Sequence, residues 1–368
     1  MTTSFGDTLE NATSAASLAH SRAVSQKIEK AIAEDPSEFR VLTGDRPTGN
    51  LHIGHFFGSL QNRVRLQQAG VDTWLVIADF QVITDRDGVG PIKERVYSLT
   101  TDYLAVGIDP QKATIFPHSQ VEGLNQLMLP FLSLVTDAEL RRNPTVKAEL
   151  EATGNRPMSG LLLTYPVHQA ADILFCKANI VPVGKDQLPH LEQARVIADR
   201  FESRFGHPAG SDKPVFARPQ ALLSEAEMVL GLDGTKMSKS KGNTIELRMS
   251  ADETARRIRK AVTDSERFIT FDPENRPEVS NLLRIAGMCQ NRDPRDIAAE
   301  IGNGGAGMLK KVVTESLNEL LAPVRARRAE LEKNQDFIRE VLRHGIEVAN
   351  ERAEQTQREV REAMNMVY

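Results

Sequence analysis

From Phe39 onward, short runs rich in β-branched and aromatic residues alternate with longer stretches in which apolar positions recur every three or four residues. The runs Arg40–Thr43, Thr73–Ala78, Thr114–Phe116 and Ile180–Val183, with a weaker one over Pro214–Leu223, have the length and residue types of strands. Between them Gly54–Gln68, Lys93–Val106, Gly160–Lys177 and Gln187–Phe205 carry the period of amphipathic helices. Such alternation predicts a parallel sheet with crossover helices, an α/β fold. Beyond Leu247 the strand pattern ceases, and Ala251–Val262, Val279–Cys289, Met308–Asn334 and Phe337–Met364 all read as helices. The pattern divides the chain into an N-terminal extension (1–38), an α/β domain (39–245) with a helical insertion around 86–157, and an all-helical C-terminal domain (246–368). The extension reads as a frayed tail leading into a short helix, Val24–Ala33.

Composition narrows the class. Of 368 residues 40% are hydrophobic and 26% charged, which excludes a collagenous or wholly disordered chain. The longest apolar runs fall far short of the roughly 20 residues that span a membrane. With 46 Lys and Arg against 50 Asp and Glu, no global positive field points to DNA, and an RNA partner would need a local patch. The two cysteines, Cys176 and Cys289, are too far apart to form a thiolate zinc site, no metal site is expected from this chain, and lone thiols suit a reducing cytoplasm. The first 38 residues have neither the apolar core of a secretory signal nor the acid-poor, Arg-rich look of a transit peptide.

Three constellations carry chemistry. The first follows the first strand: Gly44-Asp45-Arg46-Pro47-Thr48-Gly49, then His52-Ile53-Gly54-His55 where a helix begins. Glycines let a ligand approach the backbone, a helix start aims N–H groups at phosphate, and two histidines three apart share a face from which they can donate to phosphate oxygens. The alternative is a pair of histidines in a structural turn. The second is Lys236-Met237-Ser238-Lys239-Ser240 in a Gly-rich polar loop, where ammonium groups interleaved with hydroxyls would clamp a polyphosphate, or would simply be a solvated basic loop. The third is Tyr165, Gln169 and Asp172, at i, i+4 and i+7 on an otherwise apolar helix. Polar groups there need partners, from an amino-acid ligand or from an internal hydrogen-bond network. Gly302-Asn303-Gly304-Gly305-Ala306-Gly307 matches the dinucleotide fingerprint G-x-G-x-x-G but follows a helical stretch, so it reads as a loop.

The histidine site and the basic loop together form the bipartite signature of class I aminoacyl-tRNA synthetases. From Phe39 on, the chain resembles the bacterial tryptophanyl-tRNA synthetases through Thr43–Gly49 with His52–His55, Ile77–Thr84, Ala105–Pro110, Leu163–Leu174, Val181–Gln187, Lys236–Ser240, Ala261–Ser265 and Ser280–Leu283. The resemblance implies a Rossmann-type catalytic domain, a homodimer in the cytoplasm, and a helical domain that reads the tRNA anticodon. It implies that ATP, with Mg2+, binds along Gly44, Arg46, Pro47, Thr48, Gly54, His55, Gly184, Lys185, Asp186, Lys236, Met237, Ser238, Lys239 and Ser240. Asp172 would hold the indole N–H of L-tryptophan, Tyr165 and Gln187 the ammonium end, and Gln169 would face the same ligand. His52, His55, Lys236 and Lys239 would stabilise the reacting phosphates while tryptophan is activated and passed to tRNA(Trp). Arg46, His55 and Gln169 stand where many relatives carry Gln, Asn and Met. Rival readings are a tyrosine enzyme, whose phenol would also suit Asp172, a small-molecule nucleotidyltransferase without RNA, and a non-catalytic paralogue.

Overall fold

The computed structural model describes residues 15–84, 90–152, 154, 157–184, 187–206, 213–223, 229–238 and 241–368. Five parallel strands, β1 (Arg40–Asp45), β2 (Asp72–Ile77), β3 (Ala113–Pro117), β4 (Ile180–Val183) and β5 (Gln220–Leu223), form one sheet in the order β3-β2-β1-β4-β5. The weaker strand is shorter than Pro214–Leu223. Proline lacks the N–H a ladder requires, and pairing begins only after Pro219. The chain runs from β1 outward to β2 and β3, then returns to the other side of β1 for β4 and β5, which opens a crevice at the carboxyl ends of the central strands.

Both faces of the sheet are covered, so neighbouring strand residues enter opposite cores. On one face Trp74, Phe116 and Phe175 meet edge to face at 5.6–6.0 Å, with Leu42, Val181 and Val183 in the same cluster. On the other face Leu75, Ile77 and Ile115 join a cluster that reaches through Leu51 and Ile53 to Leu309, Leu317 and Leu342.

The helices used below are α1 (Ala15–Glu34), α2 (Gln61–Gln68), α3 (Ile92–Val106), α4 (Pro144–Ala152), α5 (Gly160–Phe175), α6 (Leu188–Phe205), α7 (Ala251–Arg259), α8 (Pro277–Gln290), α9 (Pro294–Ile301), α10 (Gly305–Lys333) and α11 (Gln335–Ala363). Helix α1 is longer than Val24–Ala33 and lies on the sheet. Ser25 Oγ accepts the Leu223 N–H (2.9 Å) and sits 3.1 Å from the Ala221 carbonyl, while Ile28 and Ile32 pack with Val41, Ile180 and Leu222. This helix therefore satisfies backbone groups of edge strand β5. Gly302–Gly304 is a helical turn between α9 and α10, with no strand before it.

The last helix returns to the sheet. A Cβ on Gly345 would lie 1.9 Å from the Ile115 carbonyl oxygen, so only glycine lets α11 approach β3 this closely. The Thr356 hydroxyl donates to the Phe175 carbonyl (2.6 Å), and Arg328 of α10 pairs with buried Asp102 of α3.

Candidate active site

The first-motif residues follow the carboxyl end of β1, and Gly184 follows β4. The Asp45 carboxylate at the end of β1 accepts from Arg63 Nη1 (2.6 Å) and the Tyr103 hydroxyl (2.7 Å), and Arg63 Nη2 reaches the Gly44 carbonyl (3.2 Å). Burial by itself would raise the Asp45 pKa, but the Arg63 guanidinium overrides it and holds the carboxyl at about 2. With Arg63 and Tyr103 buried and Asp45 half-buried, this triad fixes the floor of the first motif. Gly44 is glycine for a packing reason, since a Cβ would lie 1.9 Å from the Val76 carbonyl oxygen of β2. Ligand approach is not needed to account for it.

The His52 and His55 rings lie 3.8 Å apart between centroids, tilted by 49°, and cap one helix reciprocally. His52 Nδ1 accepts the Gly54 N–H (3.2 Å) and His55 Nδ1 accepts the His52 N–H (3.2 Å), a capping box built from histidines. An accepting Nδ1 puts the proton of each neutral ring on Nε2, the donor a phosphate oxygen requires. The predicted helix Gly54–Gln68 continues through a single π-turn, Phe56–Leu60, before α2. The segment is locked from beyond the basic loop, because Ile53 N–H donates to the Ile245 carbonyl (2.9 Å) and Leu247 N–H to the Leu51 carbonyl (3.0 Å).

The two motifs meet. A Cβ on Gly54 would crowd the His52 ring at 3.0 Å and lie in ordinary contact, 3.4 Å, with Sδ of the buried Met237, so Met237 packs beside Gly54 and the His52 ring. The turn before Met237 is organised by Asn243, whose amide donates to Asp233 Oδ1 (2.8 Å) and the Lys236 carbonyl (3.2 Å) and whose oxygen accepts the Ser238 N–H (2.8 Å). Lys236 is exposed beside it. Lys239 and Ser240 lie outside the described residues, as do Lys185 and Asp186.

The α5 stripe is divided. Tyr165 packs with Val146 and Leu162 beneath α4, and its hydroxyl bonds to Thr145. Burial above all raises its pKa, to about 12. Arg46 is exposed after β1 and reaches Glu149 of α4 (3.4 Å), with Pro47 buried and Thr48 half-buried beside it. Gln169 is half-buried, Gly184 follows β4 and is half-buried, and Gln187 is exposed at the start of α6.

Asp172, 4% exposed, lies in an internal hydrogen-bond network, the alternative the sequence left open, whose members His118, His168, Gln81 and Asn125 the sequence did not single out. His118 Nδ1 lies 3.0 Å from Asp172 Oδ1 and 3.4 Å from Oδ2, and its Nε2 accepts the Phe80 N–H (3.0 Å). Burial lowers the His118 pKa, but Asp172 and, more weakly, Asp79 outweigh it and raise the net value. The His168 ring lies against His118 at 4.5 Å, tilted by 37°, and burial chiefly lowers its pKa. The Asn125 amide nitrogen donates to the His118 and Val121 carbonyls (2.9 Å each), so Asn125 Oδ1 must accept from His168 Nε2 (2.8 Å). His168 Nδ1 then accepts from Gln81 Nε2 (3.0 Å), and Gln81 Oε1 accepts the Thr84 hydroxyl (3.0 Å). Ligand atoms of His118, His168 and Asp172 lie within 4.8 Å of one another, a spacing a cation could bridge, but each ring nitrogen already faces a protein partner. Two signals pointed here: His118 directly follows a strand, and His168 is one turn from Asp172.

Residues 34–322 match the family model described as tRNA synthetases class I (W and Y). A tryptophan–tRNA ligase of Clostridium longisporum is 40% identical over 338 residues, 89% of this chain and 97% of that relative. One from Streptococcus mutans is 39% identical over 342 residues, 89% and 98% of the two chains. The crystal structure of tryptophanyl-tRNA synthetase from Campylobacter jejuni complexed with ADP and tryptophan superposes with a TM-score of 0.75 at 30% identity, covering 89% of this chain and all of that one.

Proposed function

Because this chain belongs to the tryptophan and tyrosine (W and Y) family of class I tRNA synthetases, we propose that its site activates L-tryptophan with ATP to tryptophanyl-adenylate and transfers the aminoacyl group to tRNA(Trp). Relatives of 39–40% identity along nearly their whole length make the amino acid tryptophan rather than tyrosine. The observation that carries the chemistry is the packing of Met237 beside Gly54 and the His52 ring, which brings the basic loop onto the histidine helix after β1.

The tryptophan carboxylate attacks the α-phosphorus and pyrophosphate leaves, so no covalent enzyme intermediate forms. A ribose hydroxyl of the tRNA then takes the acyl group and AMP leaves. The protein contributes positioning and charge stabilisation, and no general base is assigned. Nε2–H of His52 and of His55 donates to the α-phosphate as charge builds there, while Lys236 and Lys239 hold the departing pyrophosphate. Gly44, Pro47, Thr48 and Gly54 border ATP, with Gly184, Lys185 and Asp186 at the adenosine, and Met237, Ser238 and Ser240 line the loop. Arg46 joins the phosphates by exchanging Glu149 for them. Asp172 accepts the indole N–H, with Gln169 near the ring and Tyr165 and Gln187 at the ammonium end.

Mg2+ prefers oxygen ligands, whereas the described phosphate-facing side chains are imidazole and ammonium groups. The ion therefore fits as part of the ATP substrate, held by its phosphate oxygens. For tRNA, the helical region offers Phe268 (53% exposed) against the Gly302–Gly304 turn, Met308 (46% exposed) and Arg267, which bonds to the Asn303 carbonyl (3.0 Å). Exposed aromatic, thioether and guanidinium groups suit the unstacked bases of an anticodon. The proposal includes a homodimer in the cytoplasm; among the described residues no helix is long and apolar enough to cross a membrane.

Amino-acid-dependent exchange of labelled pyrophosphate into ATP, run with all twenty amino acids, tests the first step, and charging of a tRNA(Trp) transcript tests the second. Tryptophan alone should support exchange. Exchange with tyrosine instead, or with no amino acid, would refute the assignment.

A further inference from the structure

The Asp172 carboxylate is buried, and among the described residues its side-chain hydrogen bonds go to His118 alone. An ionised carboxylate accepts two or three donors when buried, so one imidazole N–H leaves capacity unfilled. The imidazole itself has no such latitude. Its Nε2 takes the Phe80 backbone N–H, which Asp79 Oδ1 shares at 3.2 Å, its ring lies tilted against His168, and His168 is fixed at both nitrogens by Gln81 and Asn125. Asn125 is in turn anchored on the His118 and Val121 carbonyls. With Nε2 accepting, the proton of a neutral His118 must sit on Nδ1, aimed at Asp172 Oδ1.

We propose that His118 is a positioning residue of the tryptophan site: its Nδ1–H, fixed by a backbone N–H on the far side of the ring, holds one oxygen of Asp172 so that the other receives the indole N–H. This rests on the reading that Asp172 meets the indole. Holding the carboxylate in one rotamer prepays the ordering that a flexible side chain would undergo on binding. The effect belongs to substrate binding and not to the reacting phosphates, so it enters KM for tryptophan and leaves kcat and the KM for ATP alone. It also depends on the ring N–H. An analogue with sulfur in place of that nitrogen, 3-(benzothienyl)alanine, cannot use the prepared oxygen.

The test is pyrophosphate exchange by the full-length protein with tryptophan and with 3-(benzothienyl)alanine, for wild type, Asp172→Ala, His118→Ala and His118→Asn. Asparagine carries its amide nitrogen where Nδ1 stood. His118→Ala should raise KM for tryptophan at least about 10-fold with kcat and KM for ATP within about twofold, and should shrink the preference for tryptophan over the analogue by a similar factor. His118→Asn should restore both to within about threefold of wild type. Should the alanine variant fail to fold, His118→Phe fills the site without a donor and carries the same expectation.

If Asp172→Ala leaves the preference for tryptophan over the analogue intact, the underlying reading of Asp172 falls. If that preference collapses in Asp172→Ala but stays intact in the donor-free His118 variants, the positioning role is overturned. A uniform loss of kcat and of both KM values that asparagine does not rescue would also overturn it, as the mark of a merely structural residue.

Discussion

His52 and His55 combine two roles on different atoms of one ring. Nδ1 caps the helix and Nε2 carries the proton of the neutral ring, so alanine removes both while asparagine can still accept the His52 N–H and donate from its amide. His55→Ala should slow single-turnover adenylate formation by roughly two to three orders of magnitude, whereas His55→Asn should stay within about tenfold of wild type. Rates within about threefold for the alanine variant would remove the histidine from the chemistry. Asp45 makes a second prediction at this scale. Its folded pKa of about 2 lies below the ordinary carboxylate value, so its contribution to stability is present above about pH 4 and is lost as pH falls toward 2. Arg63→Ala strands that carboxylate without its cation and should destabilise the protein by about 3–5 kcal/mol in urea unfolding at pH 7. It should also flatten the acid dependence between pH 4 and 2. A variant that keeps the wild-type acid profile would show that Arg63 does not hold Asp45.

Among the elements, α1 and β5 depend on one another. Strand β5 is the edge of the sheet, and Ser25 accepts the half-buried Leu223 N–H. Ser25→Ala leaves that group unsatisfied and should cost about 1–3 kcal/mol, read as a shifted urea midpoint with an unchanged slope. An unchanged midpoint would mean that water takes the place of the hydroxyl. The sequence displayed α1 only in part. Its period from Val24 to Ala33 was legible because Ile28 and Ile32 repeat on one face, but the preceding residues are small and polar, and nothing local shows that they continue the helix. The π-turn at Phe56–Leu60 left no trace in the hydrophobic pattern, since one extra residue in a turn changes the period too little to detect within five residues.

At the scale of the whole molecule, the helices after residue 250 and the sheet share their cores. Leu309, Leu317 and Leu342 cluster with Leu75 and Ile115, while Ala349, Ala353 and Val360 of α11 cluster with Phe116 and Phe175. Residues 246–368 expressed alone should therefore show no cooperative thermal transition by circular dichroism, because much of their apolar surface is covered only by the α/β part. A sharp transition in that fragment would demonstrate an independently folding unit. What the sequence by itself determined was whatever is local or periodic: four strands to within two residues at either end, the alternation that dictates a parallel sheet, and two motifs whose order and spacing name the family. Asp172 stood out too, as an acid in an apolar helix. Only the tertiary structure decided what that acid touches. His118, His168, Gln81 and Asn125 come from separate segments, each unremarkable alone, and become a network when the ends of β2 and β3 are brought against α5. In the sequence Gly44 reads as room for a ligand and Gly345 carries no signal, yet each is glycine because a neighbouring strand's carbonyl oxygen stands 1.9 Å from where a Cβ would be. A period records which face of an element is buried, but the partner on that face is set by chain crossings that no local pattern encodes.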